Sequence, residues 1–218
     1  MIVLGLDPSL TNFGWAVHDT EATGADRCIA RGRFQTSTAM VFVDRYMELR
    51  DRLAVLIQEV KPDRMGQEFP VFGDLASSQM YGVYLYSCEA IRQEKQDVVF
   101  WSPMSVKAVA RDFLDRPLID GKKWKMHKGD MVDAAKKDTG GKGRWSSDEA
   151  DAYWVARLSG RFWLLLEGSL SESDLTPTER SYFMKVHTFQ RGKKAGRTVK
   201  PGALYREDDR FFRWSEGD

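Results

Sequence analysis

Ile2-Val3-Leu4-Gly5-Leu6-Asp7-Pro8-Ser9-Leu10-Thr11-Asn12-Phe13-Gly14-Trp15-Ala16-Val17 decides the architecture of this chain. Its first part, Ile2 to Leu6, is an unbroken apolar run of the kind found in a strand buried on both faces. Asp7 ends the run and Pro8 starts a turn. From Thr11 to His18, Phe13, Trp15 and Val17 recur on one side, which predicts a second strand. A third is expected at about Cys28 to Gln35, after the turn Thr23-Gly24-Ala25-Asp26. Three strands on short connections make an antiparallel meander.

The period then changes. Phe42, Tyr46, Leu49, Leu53, Leu56 and Val60 recur at helical spacing, giving a long amphipathic helix that stops before Lys61-Pro62. A short strand is expected at Arg64–Glu68, a second long helix from Asp74 to about Lys95, and a strand at Asp97–Trp101. Helices follow at Ser105–Phe113, Gly129–Lys137 and Ser147 to about Leu166, the last with Ser147 as its expected N-cap. This is the order of the ribonuclease H-like fold, so the expectation is an α/β protein with a central mixed five-stranded sheet flanked by helices. Beyond Gly168 the periodicity fades. Residues 1–168 are read as one α/β domain and residues 169–218 as a basic, aromatic extension.

The 218 residues suffice for one sizeable domain plus an appendage, and 42% hydrophobic with 30% charged residues is ordinary globular composition. Cys28 and Cys88 have no metal-ligand spacing, so a zinc site is not expected. The first apolar run is cut by Asp7 and lacks a basic leader, so it reads as a strand and not as a signal peptide. No membrane association is expected, and a cytoplasmic location is. The net charge of +1 conceals segregation: Arg180 to Lys200 carries seven basic residues and no acidic one. Lys122 to Arg144 is also predominantly basic, and asymmetry of this kind fits a polyanionic partner.

Four carboxylates stand out against this background. Asp7 and Glu68 end the first and fourth strands, while Asp148 and Asp151 open the last helix three residues apart, on one face. Each alone has an ordinary explanation, such as a turn cap or a helix-dipole partner. Asp151 fits that explanation poorly, because it lies where the apolar face of its helix begins. On one site the four would form a cluster of hard oxygen ligands suited to Mg²⁺, and two such ions can drive phosphodiester hydrolysis.

At these residues the sequence resembles RuvC-type Holliday-junction resolvases. Gly5 to Val17 is similar to the family's opening motif, Gln67-Glu68-Phe69 to its second acidic motif, and Ser147-Asp148-Glu149-Ala150-Asp151-Ala152 to its last. The resemblance runs from Met1 to about Trp163. It implies a homodimer with two Mg²⁺ per site, Mn²⁺ substituting, that places paired nicks across a four-way junction in branched DNA. Asp7, Glu68, Asp148 and Asp151 would be both catalytic and metal-ligating, with Asp7 bridging and Glu68 on the ion that activates water. Lys107 and Lys128 fall where the family has DNA-contacting basic residues. Lys122, Lys123 and Lys125 would extend that track along phosphate, and Phe69 and Phe72 would stack on an unpaired base at the crossover. The stripe Met80, Val83, Tyr84 and Cys88 on the second long helix is of a kind that is usually core, while the resemblance implies that this helix meets its twin across a two-fold axis.

Departures are the Lys-rich segment before Lys128, the long tail, and Ser9 where the family commonly has Gly. An enlarged, divergent form of this kind would suit a phage-encoded enzyme in a bacterial host. Two other readings share the fold. One is a ribonuclease H-like nuclease acting on flaps, RNA–DNA hybrids or single strands. The other is a non-catalytic module that binds branched DNA.

Overall fold

The computed structural model describes residues 1–69, 76–114, 124–141 and 143–183, with strand segments at 187–188, 198–199, 204–207 and 210–213. The meander forms as the alternation predicts: β1 (Ile2–Asp7), β2 (Asn12–Asp19) and β3 (Cys28–Gln35) pair antiparallel in turn. α1 (Phe42–Val60) leads to β4 (Arg64–Glu68), which pairs parallel with β1. α2 (Ala76–Gln93) leads to β5 (Val98–Trp101), which pairs parallel with β4. Then come α3 (Pro103–Asp112), α4 (Lys128–Asp138), α5 (Ser147–Leu166) and α6 (Pro177–Phe183). A separate two-stranded ladder joins β6 (His187–Thr188) to β7 (Thr198–Val199).

The α/β architecture stands, but the expected five strands are corrected to seven. β8 (Leu204–Glu207) and β9 (Arg210–Arg213) extend the sheet, in the order β3-β2-β1-β4-β5-β8-β9. β8 lies antiparallel on β5, whose four residues are all buried. A buried edge of that kind needs a partner for its backbone groups, and the tail supplies it. Leu175, Phe183 and Tyr205 also enter the core around α5, with the Tyr205 ring 5.6 Å from Phe162 and 5.8 Å from Trp163.

Strand alternation divides the interior into two layers. Leu4, Leu6, Phe13, Val17, Met65, Val98 and Phe100 face α1 and α2. Ala16, Val99 and Trp101 face α5, where Tyr153, Trp154, Phe162 and Trp163 are fully buried. α5 sits directly on the sheet because the strands beneath it lack side chains. A Cβ on Gly5 would overlap the Ala152 carbonyl oxygen and the Ala156 amide nitrogen, and one on Gly14 would overlap the Asp148 carbonyl oxygen.

The stripe on α2 takes the core reading. Val83 and Tyr84 are buried against α1 and the sheet, with Cys88 packed beside them, so this stripe is core. Among the described residues of α2, the exposed large apolar ones are Tyr81 and Leu85, at 47% and 68% exposure and one turn apart. The N-cap of α5 is Ser146 and not Ser147. Ser146 Oγ accepts from the Glu149 amide at 3.3 Å while Glu149 Oε2 accepts from the Ser146 amide at 2.8 Å, a reciprocal box whose spacing selects Ser146.

Candidate active site

The parallel pairing of β1 with β4 sets Leu6 opposite Gln67, which puts the next residues, Asp7 and Glu68, at adjacent strand ends. Neighbouring strands lie about 4.8 Å apart. Leu6 faces the α1–α2 layer, so Asp7, one residue on, points to the α5 side. Gly14 pairs with Asp7 across β1 and β2 and lies beneath the Asp148 backbone, which brings the start of α5 over the same point. Asp148 and Asp151 then project from the first turns of α5. The four carboxylates are half-buried on one face at one end of the sheet.

Their electrostatics reflect this proximity. Burial raises the Asp7 carboxyl well above the ordinary carboxylate range, and repulsion from Glu68, Asp151 and Asp148 adds to it, opposed by Lys128. Burial and then Asp151 push Glu68 from 4.5 up to about 7, with Lys107 opposing. Asp151 rises from 3.8 to about 6, mainly through burial, with Lys107 and Lys128 opposing and Asp148 adding. Each of these acids therefore feels at least one of the others.

The surrounding groups are cationic. Lys107 on α3 and Lys128 at the start of α4 are both exposed, and both act on these carboxylates. Arg33 was not singled out in the sequence, yet its Nη1 lies 3.9 Å from Asp148 Oδ2. β3 pairs Arg33 with Gly14, which turns it to the α5 side. The turn after Asp7 is held from behind by Arg45, a buried residue on α1. Its guanidinium donates to Thr36 Oγ1 at 2.9 Å, Thr11 Oγ1 at 3.1 Å and the Leu10 carbonyl at 3.2 Å. The Tyr84 hydroxyl donates to the Glu68 carbonyl oxygen and fixes the end of β4.

Of the other residues singled out in the sequence, Phe69 is 36% exposed, its ring edge-on to Tyr84 at 5.1 Å and Phe100 at 6.1 Å. Lys125 is exposed on the segment preceding α4. Phe72, Lys122 and Lys123 lie outside the described residues.

The donor set fits a hard divalent cation. Among the described residues, Asp151 Oδ1 is buried and has no hydrogen-bond partner, a carboxylate oxygen left for a cation to satisfy. No three His, Cys, Asp or Glu side chains among the described residues already stand at metal-ligating spacing. The four acids are near enough to repel one another without being drawn to one centre. No helix among the described residues is long and apolar enough to cross a membrane.

The same arrangement of elements occurs in solved structures. T. thermophilus RuvC in complex with Holliday junction substrate matches with a TM-score of 0.59 at 18% identity, covering 78% of this chain and 98% of that one. A second Thermus thermophilus RuvC structure matches with a TM-score of 0.59 at 20% identity, over 77% and 97%. The chain has the RuvC fold. In sequence, the crossover junction endodeoxyribonuclease RuvC of Synechocystis sp. is 30% identical over 69 residues, 32% of this chain. That match spans 41% of the Synechocystis RuvC. No family model matches the chain.

On this RuvC fold the raised carboxyl groups set a pH dependence. Without metal the folded state holds protons on Glu68 and Asp151 up to about pH 7 and 6, whereas unfolding returns both to the ordinary range. The folded state then binds more protons than the unfolded one, so stability falls as pH rises through this window. Melting of the full chain in EDTA should show its midpoint falling between about pH 6.5 and pH 8, above the range in which buried His18, lowered to about 4, acts in the opposite sense, with Mg²⁺ reversing the fall at the upper end. A midpoint that is flat or rises across this range in EDTA would contradict the assigned cluster.

Proposed function

We propose that the chain is a divalent-metal-dependent endonuclease that resolves four-way DNA junctions by paired nicks, acting as a homodimer. The observation that carries this reading is the gathering of Asp7, Glu68, Asp148 and Asp151 at one end of the sheet, near enough to repel one another, with Lys107, Lys128 and Arg33 beside them. A module that only binds a polyanion gains nothing from a buried acidic focus facing it. The RuvC neighbour in complex with Holliday junction substrate supports branched DNA as the substrate class.

Asp7, central to the repulsive set, would bridge two Mg²⁺ ions, with Glu68 on one side and Asp148 and Asp151 completing the ligands. Bound there, such ions supply an activated water and neutralise charge developing on the leaving oxygen. Lys107 and Lys128 present their ammonium groups to phosphate beside the carboxylates, and Arg33 adds a planar guanidinium on the opposite flank. Lys122, Lys123 and Lys125 would continue the phosphate track, and Phe69 and Phe72 would meet an unpaired base. Residues 1–168 form the catalytic unit in this reading, with 169–218 as an extension that lengthens its sheet. The exposed pair Tyr81 and Leu85 on α2 is the better surface for a two-fold contact than the buried stripe beside it.

The test is cleavage by the full chain of matched four-way junction, flap, duplex and RNA–DNA hybrid substrates with Mg²⁺. Symmetric nicks in the junction, faster than any product from the other three, are expected. Light scattering of the same sample should give twice the 25.0 kDa chain mass. Preference for the flap or hybrid would make it another nuclease on this fold, and tight junction binding without cleavage in Mg²⁺ or Mn²⁺ would make it a binding module.

A further inference from the structure

A second cluster of cationic side chains lies away from the carboxylates. Arg27, Arg157 and Arg161 line a cavity of about 90 Å³ together with His18, Thr20 and Leu164. From Asp151 to Arg161 the axis of α5 advances about 15 Å at 1.5 Å per residue. His18 pairs with Val3, at the start of β1, while Asp7 is at its end. The cavity therefore sits at the opposite end of the sheet from the candidate active site.

Guanidinium groups outnumber the buried carboxylates around it. Asp138, the last residue of α4, accepts from Arg27 Nη1, Arg157 Nε and the Tyr153 hydroxyl, each at 2.6 Å, and its side chain is only 3% exposed. Glu179 pairs with Arg161 Nε. Among the described residues, three guanidinium groups face the two buried carboxylates Asp138 and Glu179, with exposed Asp174 also acting on Arg161 from the solvent side; buried His18 is kept neutral because burial and Arg157 lower it to about 4.

The donors facing the cavity are also incompletely used. Arg157 Nη1 and Thr20 Oγ1 are buried and have no hydrogen-bond partner among the described residues. Arg157 cannot swing to find one. Its Nε is committed to Asp138, and its guanidinium carbon lies 4.3 Å from the Phe113 ring centroid and 5.3 Å from that of Trp154. A buried donor fixed in place without an acceptor is costly, so it marks a place where an acceptor belongs. The volume admits about three waters at roughly 30 Å³ each. Water, however, leaves the excess of guanidinium groups over buried carboxylates unanswered. An oxyanion answers it and accepts from every donor present, in the geometry that arginine favours for phosphate. Among the described residues the lining offers Leu164 and the His18 imidazole but no Phe, Tyr or Trp, so the phosphate group itself is what would be recognised.

We infer that the cavity between the end of β2 and the C-terminal half of α5 binds one tetrahedral oxyanion of the phosphate class, held by Arg27, Arg157, Arg161 and Thr20. Free inorganic phosphate and a backbone phosphate of a bound DNA arm present the same chemistry. Asp138 ties the site to α4, whose first residue is Lys128, so an occupied cavity also fixes the helix that carries a cation to the carboxylates.

The test is a phosphate titration of the full chain in EDTA, followed by NMR at the C2 proton of His18. The chain has three histidines, which makes that resonance assignable. A saturable shift is expected in the wild type. Thr20→Val keeps the shape and removes the hydroxyl, while Arg27→Gln leaves Asp138 its bonds to Arg157 and Tyr153. Each should weaken phosphate about tenfold or more, the loss of one charge-assisted hydrogen bond, with melting behaviour showing that the fold is kept. Competition by a short duplex would assign the site to backbone phosphate, with the Arg27→Gln salt slope lower by about one unit; no competition would assign it to the free anion. An unmoved His18 resonance in the wild type, or equal phosphate affinity in both variants, would overturn the inference, the latter placing phosphate elsewhere on the basic surface.

Discussion

Asp7→Asn should lower junction cleavage by on the order of 10³-fold or more, as for removal of a group that acts mainly in the transition state. Junction binding should survive or strengthen. Asp7 is the residue repelled by all three other carboxylates, so the amide removes the central charge that a cation there would bind. The same change removes a negative charge facing the phosphate backbone, which is why binding does not weaken. It also relieves like-charge repulsion in the metal-free protein. The variant should then melt higher than wild type in EDTA at about pH 8, with a smaller dependence on pH, in line with the raised Asp7 carboxyl. Cleavage and melting together separate a lost ligand from a lost fold: a damaged fold would lower both. Substantial Mg²⁺-dependent cleavage by Asp7→Asn would remove Asp7 from the proposed chemistry.

The parts of this arrangement that were legible in the sequence are those with long patterns. β1 is a continuous apolar run, α1 repeats its apolar residues over five turns, and α5 is apolar on nearly every side. Those elements place the ends of β1 and β4 and the start of α5, so the four acids could be picked out by their position in the order of elements. Other features depend on register or on tertiary pairing. Arg33 reaches Asp148 only because β3 pairs Gly14 with Arg33, and a one-residue slip would turn it to the other face. Arg45 looks like one more charge on an amphipathic helix until Leu10, Thr11 and Thr36 are folded against it. On α2, Val83 and Tyr84 belong to a stripe whose apolar character fits core and interface equally, and α1 decides for core.

The tail is less legible for a different reason. β8 and β9 are four residues each, too short for alternation to show, and their basic side chains hide the pattern. A hairpin signal was present: Leu204-Tyr205-Arg206-Glu207 and Arg210-Phe211-Phe212-Arg213 flank Asp208-Asp209 in the sequence. What gives that hairpin its place is the uncovered edge of β5, a fact about the sheet that no local reading of the tail contains.

Gly5→Ala should destabilise the protein by about 3 kcal/mol or more, because a close-packed interior cannot absorb an added methyl against rigid backbone. The new Cβ meets the Ala152 carbonyl oxygen and the Ala156 amide nitrogen, which belong to the hydrogen-bonded ladder of α5 and cannot rotate aside. Relief requires the whole helix to lift from β1. Tyr153, Trp154, Phe162 and Trp163 would be disturbed together, and the first turn with Asp148 and Asp151 would move off Asp7. For a chain of this size such a loss lowers the melting midpoint by roughly 6–12 °C. Gly14→Ala makes the same kind of overlap at the Asp148 carbonyl, directly over the carboxylates, so its cleavage should fall further than its stability alone explains. Gly129→Ala is the control: its Cβ meets nothing within 4 Å, in the first turn of α4. That change should leave the midpoint unchanged or slightly raised, since Ala exceeds Gly in helix propensity by about 0.5–1 kcal/mol. Differential scanning calorimetry of the three variants decides the matter. A Gly5→Ala midpoint equal to that of Gly129→Ala would mean that α5 is not seated on β1, and the convergence of the four acids would lose its support.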